Sequence, residues 1–183
     1  MGRVVVNGAD PVIDRVLERG CWTPVDRFGV SQGWSASDLG SGGFEVLREM
    51  EPVGRLHWEL LGEHNRQNAL AAIAAAHAAG VDPSTAVNAL SRFQSVKRRM
   101  ECRGKVAGVS VWDDFAHHPT AISTTLAGLR ENLSEARILA VLEPRSNTMR
   151  AGFMKDRLAA SLDLAERVFC SSANLEWDAP AAL

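Results

Sequence analysis

The spacing of apolar residues along the chain predicts strands in some segments and helices in others. Residues 4–6 are three consecutive valines, which indicate a short buried strand, and an aspartate–proline pair soon afterwards begins a helix predicted over 11–20. A second strand is expected at 22–28. Between residues 33 and 61, short alternating segments are broken by glycine and proline, which predicts a β-hairpin or meander.

Helices and strands alternate from residue 65 onwards. An alanine-rich helix is predicted over 65–79, and a further helix, capped by Asp82–Pro83, is expected to reach about Phe93. Residues 95–99 are polar and basic and are interpreted as a linker. The segments that follow are a strand at 106–112, a helix at 119–131, a strand at 138–142, a helix at 152–165 and a strand at 167–170. Such alternation indicates a parallel sheet, so the predicted fold class is α/β.

Composition restricts the class of protein. Of the 183 residues, 46% are hydrophobic and 23% charged, and the net charge is −2, which argues against disorder and against nucleic-acid binding by bulk positive charge. The most apolar stretch, which begins at Ala69, is too short to span a membrane, and the N-terminus lacks the pattern of a signal peptide. Cys21, Cys102 and Cys170 are odd in number and far apart. They are expected to be reduced core thiols of a cytoplasmic protein, not a disulfide framework or a zinc site.

Two polar clusters follow predicted strands of the parallel sheet. DDFAHHPT, residues 113–120, and EPRSNTMR, residues 143–150, each come directly after such a strand. Ligands of these sheets bind beyond the carboxyl ends of the strands, and neighbouring strands bring both clusters to one edge. The first cluster supplies carboxylates and imidazoles, and the second supplies guanidiniums suited to carboxylate or phosphate. Two charged clusters at successive strand ends favour a binding site over two solvated turns.

A third cluster, GEHNRQNAL, residues 62–70, begins the alanine-rich helix. Taken alone, Asn65 is typical of a helix cap and Asn68 of a polar surface position. Three residues apart, however, the two lie on one face of the helix, and an amide can both donate to and accept from the edge of a purine. The cluster therefore also suits a nucleotide.

Four segments, in this order, resemble the Mur ligases: GEHNRQNALAAIAAA, VKRRME, DDFAHHPTA and EPRSNTMR. Mur ligases are ATP-dependent, amide-forming enzymes of bacterial cell-wall synthesis, and the resemblance extends from Val4 to Cys170. It implies that residues 1–98 are the second half of a central ATPase domain and that residues 99–183 are the first half of a Rossmann-like, parallel α/β C-terminal domain. The phosphate-binding sequence G-x-x-x-x-G-K-[ST] does not occur. The chain is therefore expected to be a fragment with no ligase or ATPase activity of its own.

The sequences of the last two segments, DDFAHHPTA and EPRSNTMR, resemble those of the Mur ligases that add a murein tripeptide. This resemblance implies ATP-dependent joining of L-alanyl-γ-D-glutamyl-meso-diaminopimelate to UDP-N-acetylmuramate through an acyl phosphate. It also implies ATP and Mg²⁺ as cofactors, with most magnesium ligands outside this chain, and neither nucleic acid nor membrane as a partner. The alternatives are the ligase that adds L-alanine to UDP-N-acetylmuramate and a non-catalytic nucleotide- or peptide-binding module derived from a Mur ligase.

The same resemblance implies roles for the residues around the nucleotide. Asn65 and Asn68 hold the adenine, Asp114 accepts hydrogen bonds from the ribose, and Arg99 approaches the polyphosphate. The alternative ribose acceptor is Asp113, because the assignment depends on aligning the aspartate directly before the aromatic residue.

On the side of the incoming amine, the resemblance implies that His117 and His118 orient groups or accept a proton. A histidine pair beside a proline is equally suited to capping a helix. The tripeptide carries several carboxylates, which suit a site with two guanidiniums. The residues expected to face it are Arg145, Ser146, Thr148 and Arg150.

Overall fold

The computed structural model of the chain describes residues 2–40, 43–58, 60, 62–133 and 135–183. They fall into two compact units, Met1–Gln94 and Ser95–Leu183. The first unit contains β1 (Val4–Asn7), α1 (Pro11–Leu17), β2 (Val25–Phe28), β3 (Trp34–Asp38), β4 (Gly43–Arg48), β5 (Glu51–His57), α2 (Glu63–Ala78) and α3 (Pro83–Leu90). The second contains β6 (Glu101–Val106), β7 (Val109–Asp113), α4 (Pro119–Asn132), β8 (Leu139–Leu142), α5 (Asn147–Arg150), α6 (Lys155–Ser161), β9 (Arg167–Cys170) and α7 (Ala179–Ala182).

A five-stranded sheet of order β1-β2-β3-β4-β5 forms the framework of the first unit. β1, β2 and β3 run parallel, whereas β3, β4 and β5 form an antiparallel meander. The meander predicted from the alternating pattern is therefore confirmed. Residues 41, 42, 59 and 61 of that predicted segment lie outside the described residues.

Helix α2 packs against this sheet through an alanine-rich face. The buried face consists of Ala69, Leu70, Ile73 and Ala74. The same core contains Trp34, Phe44, Val46, Leu56, Ala86 and Val87. The helix begins at Glu63, two residues earlier than predicted, because Gly62 is its N-cap with φ of 85°, a conformation that glycine adopts without steric cost.

Both aspartate caps expected from the sequence are present. Asp10 and Asp82 each accept a hydrogen bond from the backbone N–H two residues further on, at 2.8 Å and 3.0 Å. A proline follows each cap at the first helical position, where its missing N–H costs nothing. The two helices end at Leu17 and Leu90, three residues earlier than predicted.

The second unit begins with a hairpin that the sequence pattern did not predict. The single strand expected at 106–112 is wrong: β6 and β7 are antiparallel and are joined through Ala107 and Gly108. Both residues have positive φ, 50° and 81°, as a two-residue hairpin turn requires. An alanine in the left-handed conformation gives no turn signal in the sequence, which explains the error.

The parallel α/β arrangement predicted for the second unit is confirmed at β8 and β9. These strands pair in parallel from Leu139–Arg167 to Leu142–Cys170. Their core contains Ile122, Leu126, Ile138, Leu142, Met149, Leu158 and Leu162. The helix predicted over 152–165 is shorter in the structure, where α6 spans Lys155–Ser161. A separate short helix that was not predicted, α5, precedes it and ends before Gly152, which has φ of 76°.

The cysteines are free, but two of them are not in the core. Cys21 and Cys102 are exposed and Cys170 is half-buried, so the expectation of three core thiols is wrong. Residue type alone does not decide burial: Cys21 lies in a loop and Cys102 in the β6–β7 hairpin, and both are exposed. Partial burial raises the pKa of the Cys170 thiol. Within the described residues, no helix is long and apolar enough to cross a membrane.

Candidate functional site

The two asparagines of the third cluster lie in the first turns of α2. Asn65 is half-buried and donates its backbone N–H to the carbonyl of Gly62, so it belongs to the first turn and is not the cap. Asn68 is exposed one turn further along. Around them, Gln67 donates to Glu63 at 2.6 Å, which fixes the polar surface of this turn.

Asp114, expected to accept from ribose, is half-buried and receives hydrogen bonds from its own chain. Its Oδ2 accepts the backbone N–H of Met100 at 2.9 Å, and its Oδ1 accepts the N–H of Ala116 at 2.7 Å. The hydroxyl of Thr125 lies 3.4 Å from the same Oδ1. This carboxylate therefore joins three separate segments of the unit.

Asp113, the alternative ribose acceptor, forms ion pairs with two arginines. Its Oδ2 lies 3.0 Å from Arg103, and its Oδ1 lies 3.5 Å from Arg98. The guanidinium of Arg98 also lies 5.1 Å from the ring centroid of Phe115. Arg99, expected to approach the polyphosphate, is exposed and forms no ion pair with any residue that the structure describes.

The adjacent histidines both use Nδ1 in a hydrogen bond, but in opposite roles. Nδ1 of His118 accepts the N–H of Thr120 at 3.2 Å and caps α4, so the proton of its neutral ring is on Nε2. Nδ1 of His117 lies 3.0 Å from the carbonyl oxygen of Phe115, which can only accept, so this Nδ1 carries the proton. These hydrogen bonds make the outer nitrogen of His117 a proton acceptor and that of His118 a donor.

The EPRSNTMR cluster folds into a short helix with an ion pair beside it. Nε of Arg145 lies 2.9 Å from Glu143. Ser146 is the N-cap of α5: its hydroxyl accepts the N–H of Met149 at 3.3 Å and lies 3.2 Å from the hydroxyl of Thr148. The hydroxyls of Ser146 and Thr148 thus help to form the first turn of α5.

Arg150 ends this helix with its Nε buried and without a hydrogen-bond partner among the described residues. Its backbone is held from the far end of the chain, since its carbonyl accepts the N–H of Glu176 at 3.0 Å. The indole N–H of Trp177 donates to the preceding carbonyl, that of Met149, at 2.8 Å. A buried donor without a partner is uncommon in folded proteins.

Electrostatics connect the two clusters of the second unit. The Arg145 guanidinium, by its hydrogen bond, holds the pKa of the Glu143 carboxyl below its usual value, and the charges of Arg150 and Arg98 act in the same direction. Arg98 also pairs with Asp113, so it lies between the clusters. The two clusters were expected to meet because they follow neighbouring strands. That expectation is wrong, because β7 pairs with β6 and is not a neighbour of β8 among the described strands.

Comparison with known proteins identifies the family. Residues 98–183 match the family described as Mur ligase, glutamate ligase domain. The UDP-N-acetylmuramate–L-alanyl-γ-D-glutamyl-meso-2,6-diaminoheptandioate ligase of Escherichia coli (strain K12) is 47% identical over 180 residues, which are 96% of this chain and 39% of that protein. The chain belongs to the Mur ligase family.

Two further Mur ligases extend the comparison. The crystal structure of a murein peptide ligase from Psychrobacter arcticus 273-4 is 41% identical with a TM-score of 0.67, and the match covers 93% of this chain and 37% of that one. A UDP-N-acetylmuramate–L-alanine ligase of Anaeromyxobacter dehalogenans (strain 2CP-C) is 38% identical over 120 residues, covering 66% of this chain and 26% of that protein. The chain thus spans about two fifths of the length of its E. coli relative.

Sequence reasoning about this Mur ligase chain missed two residues that shape the site. The indole N–H of Trp177 and the backbone N–H of Glu176 hold α5 across 28 and 26 positions of sequence. No local pattern relates these two residues to a helix so distant in sequence.

Proposed function

We propose that the chain is part of an ATP-dependent Mur ligase that joins L-alanyl-γ-D-glutamyl-meso-diaminopimelate to UDP-N-acetylmuramate. Residues 1–98 belong to the central ATP-binding domain of that enzyme, and residues 99–183 belong to its Rossmann-like C-terminal domain. The observation that carries the proposal is the 47% identity over 180 residues to the E. coli ligase named for these two substrates.

The reaction has two steps. The terminal phosphoryl group of ATP passes to the carboxylate of UDP-N-acetylmuramate, which gives an acyl phosphate and ADP. The amine of the tripeptide then attacks the acyl carbon, loses a proton and displaces inorganic phosphate to leave an amide. Phosphoryl transfer depends on positioning and cationic groups more than on covalent help from the protein, which suits the residues assigned below.

The tripeptide contacts the EPRSNTMR cluster. Arg150 offers a buried Nε–H that no described residue accepts, and Arg145 offers an exposed guanidinium already paired with Glu143. Ser146 and Thr148 supply hydroxyls beside them. Two guanidiniums exceed what a single small amino acid requires, so the cluster favours the tripeptide over L-alanine as the amine substrate.

The residues assigned to the nucleotide carry amides, a carboxylate and a cation. Asn65 and Asn68 hold the adenine through donor and acceptor groups of their amides. Asp114 accepts from the ribose through the lone pairs that its three internal contacts leave unused. Arg99, which is exposed, reaches the polyphosphate.

The two histidines have different roles: His117 accepts a proton and His118 donates a hydrogen bond. The outer nitrogen of His117 carries a free lone pair and takes the proton that the attacking amine loses. The outer nitrogen of His118 carries a proton and donates it in a hydrogen bond, while its inner nitrogen caps α4. The alternative role of His118 is capping alone.

Mg²⁺, when bound, would supply positive charge against the negative charge that develops on the phosphate groups. Among the described residues, no group of three or more His, Cys, Asp or Glu side chains is arranged to hold a metal ion. The proposal therefore assigns none of these residues to Mg²⁺.

The test is an assay of the full-length ligase with ATP, UDP-N-acetylmuramate and either the tripeptide or L-alanine. The expected result is formation of the UDP-linked tripeptide with stoichiometric ADP and phosphate, and a kcat/KM for tripeptide well above that for L-alanine. Preference for L-alanine would support the L-alanine-adding ligase. Binding of nucleotide or peptide without turnover would support the non-catalytic module.

A further inference from the structure

The two neighbours of Arg99 have a backbone conformation that residues with a side chain rarely adopt. Arg98 has φ of 59° and Met100 has φ of 48°, both in the left-handed region, although neither is a glycine. Two such residues within three positions are strained, and strain of this kind persists only where surrounding contacts hold it. Arg99 itself is exposed at the centre of the turn. The contacts that hold residues 98–100 therefore fix where this side chain points.

Most of those contacts come from the residues that begin the DDFAHHPT cluster, and one more comes from Glu101, which accepts the N–H of Arg98 at 3.0 Å. The N–H of Met100 donates to Oδ2 of Asp114 at 2.9 Å, and the carbonyl of Arg98 accepts the N–H of Phe115 at 2.8 Å. The Arg98 side chain is held by Asp113 and by the face of Phe115. The left-handed residues are thus each tied by their backbone to one short loop.

Asp114 is suited to this task because it is itself fixed. Its other oxygen accepts the N–H of Ala116 at 2.7 Å and approaches the hydroxyl of Thr125 in α4. Asp113, by comparison, contacts only side chains, through its two ion pairs. A half-buried carboxylate that accepts two backbone N–H groups is a stronger constraint on the backbone than an exposed ion pair.

We propose that Asp114 is a positioning residue: by holding the N–H of Met100 it maintains the strained turn at residues 98–100 and so presents Arg99. This inference rests on the proposed function for the part that assigns Arg99 to the polyphosphate. It gives Asp114 a role that reaches the nucleotide through Arg99, in addition to any direct contact with ribose. Loss of the carboxylate releases the turn, and Arg99 then samples many directions.

The first test follows hydrogen exchange of the wild-type chain and requires no activity. Met100 lies outside any helix or strand, yet its amide is expected to exchange roughly 100-fold more slowly than the amide of Arg99, because only the former has a carboxylate acceptor. Equal exchange rates for the two amides would overturn the proposal even if ligase activity is later demonstrated.

The second test uses trypsin, since Lys97, Arg98 and Arg99 are three consecutive cleavage sites. A fixed backbone turn resists the extended conformation that a protease requires, so Asp114→Ala is expected to increase the initial cleavage rate here by about tenfold. The control is Asp163→Ala, which removes an exposed carboxylate of the same unit. Circular dichroism of each variant checks that it is folded. An unchanged cleavage rate in a folded Asp114→Ala chain contradicts the proposal.

A double-mutant cycle in the full-length ligase separates positioning from direct ribose contact. Asp114→Ala alone is expected to raise the KM for ATP by roughly 10- to 150-fold, the value of one charge-assisted hydrogen bond. In an Arg99→Ala background the same change is expected to raise the KM by a smaller factor than in wild type, because the part of the effect that passes through Arg99 is gone and only a direct ribose contact remains. Multiplicative effects would assign Asp114 to ribose alone. Absence of any activity would test only the proposed function and leave the exchange and trypsin results to decide.

Discussion

The indole N–H of Trp177 donates to the carbonyl oxygen of Met149 at 2.8 Å, across 28 positions of sequence. The same ring lies over Gly152, and the neighbouring Glu176 donates its backbone N–H to the carbonyl of Arg150. α5 has only four residues and cannot persist by helix propensity alone. Its geometry, and with it the direction of Arg150, therefore depends on these distant contacts.

Replacing Trp177 with phenylalanine tests this dependence, because it keeps an aromatic ring and removes the N–H. Met149 O retains a second donor, the N–H of Gly152, so the expected loss is one hydrogen bond, about 0.5–1.5 kcal/mol of unfolding free energy. In the full-length ligase the KM for tripeptide should rise while the KM for ATP stays constant. The control is Trp22→Phe, since Trp22 is 93% exposed and should change neither quantity.

Gly152 and Gly108 form a matched pair for testing the contact with Trp177. Both have positive φ, 76° and 81°, so alanine carries a similar conformational cost at either position, about 1–2 kcal/mol. A Cβ at Gly152 would lie 3.0 Å from the Trp177 ring, whereas a Cβ at Gly108 meets nothing within 4 Å. Urea unfolding should therefore show a larger loss of unfolding free energy for Gly152→Ala than for Gly108→Ala. Equal losses would mean that Trp177 moves freely.

His118 can be tested as a cap and as a proton donor separately. His118→Ala removes the acceptor for the N–H of Thr120 and should cost about 0.5–2 kcal/mol of stability. His118→Asn supplies a new cap acceptor and should restore most of that stability. If the outer nitrogen takes part in the reaction, the asparagine variant stays stable but has a reduced kcat. A fully active His118→Asn ligase would leave capping as its only role.

Glu166 links α4 to the parallel strands and predicts a pH dependence. Its carboxylate accepts the N–H of Ile138 at 2.5 Å and pairs with Arg130 at 3.0 Å. The hydrogen bond from Ile138, first, and then that from Arg130 hold its pKa below the usual value. The folded state thus favours the charged form, so the stabilisation is complete above the ordinary pKa of about 4.3 and is lost as the pH falls through the lower pKa of the folded state.

The measurement is urea unfolding of wild type and Glu166→Gln at pH 7 and at pH 3. At pH 7 the glutamine chain should be the less stable of the two. The difference should shrink at pH 3, which lies below the ordinary pKa, because the advantage of the charged form is being lost there. Glu131→Gln, a change at an exposed position of α4, is the control. A difference that is the same at both pH values would mean that the charge of Glu166 is unimportant.

Features that depend on neighbouring residues in sequence were predictable, and those that depend on distant ones were not. The caps at Asp10 and Asp82 follow from an aspartate directly before a proline, a relation visible within a few positions. The hairpin turn at Ala107 was missed because its left-handed backbone is set by the pairing of β6 and β7. The clusters were visible as sequences, but the contact of Asp114 with Met100 joins positions 14 apart in an irregular segment.

The roles of the two arginines of the EPRSNTMR cluster are expected to differ, although sequence reasoning treated them as a pair. Arg145 is exposed and pairs with an exposed Glu143, so it competes with water and salt for its partner. Arg150 has a buried Nε with no acceptor among the described residues, and burial strengthens any charge-assisted hydrogen bond that a substrate carboxylate makes.

Arg150→Ala in the full-length ligase should therefore lower kcat/KM for the tripeptide by roughly 10- to 150-fold, the value of one charge-assisted contact. Arg145→Ala should lower it much less, and the remaining effect should diminish as the salt concentration rises. The KM for ATP should be unchanged in both variants, which separates a substrate contact from a general loss of folding. If Arg150→Ala instead weakens ATP and tripeptide together and lowers the melting temperature, the side chain stabilises α5 and does not bind the peptide.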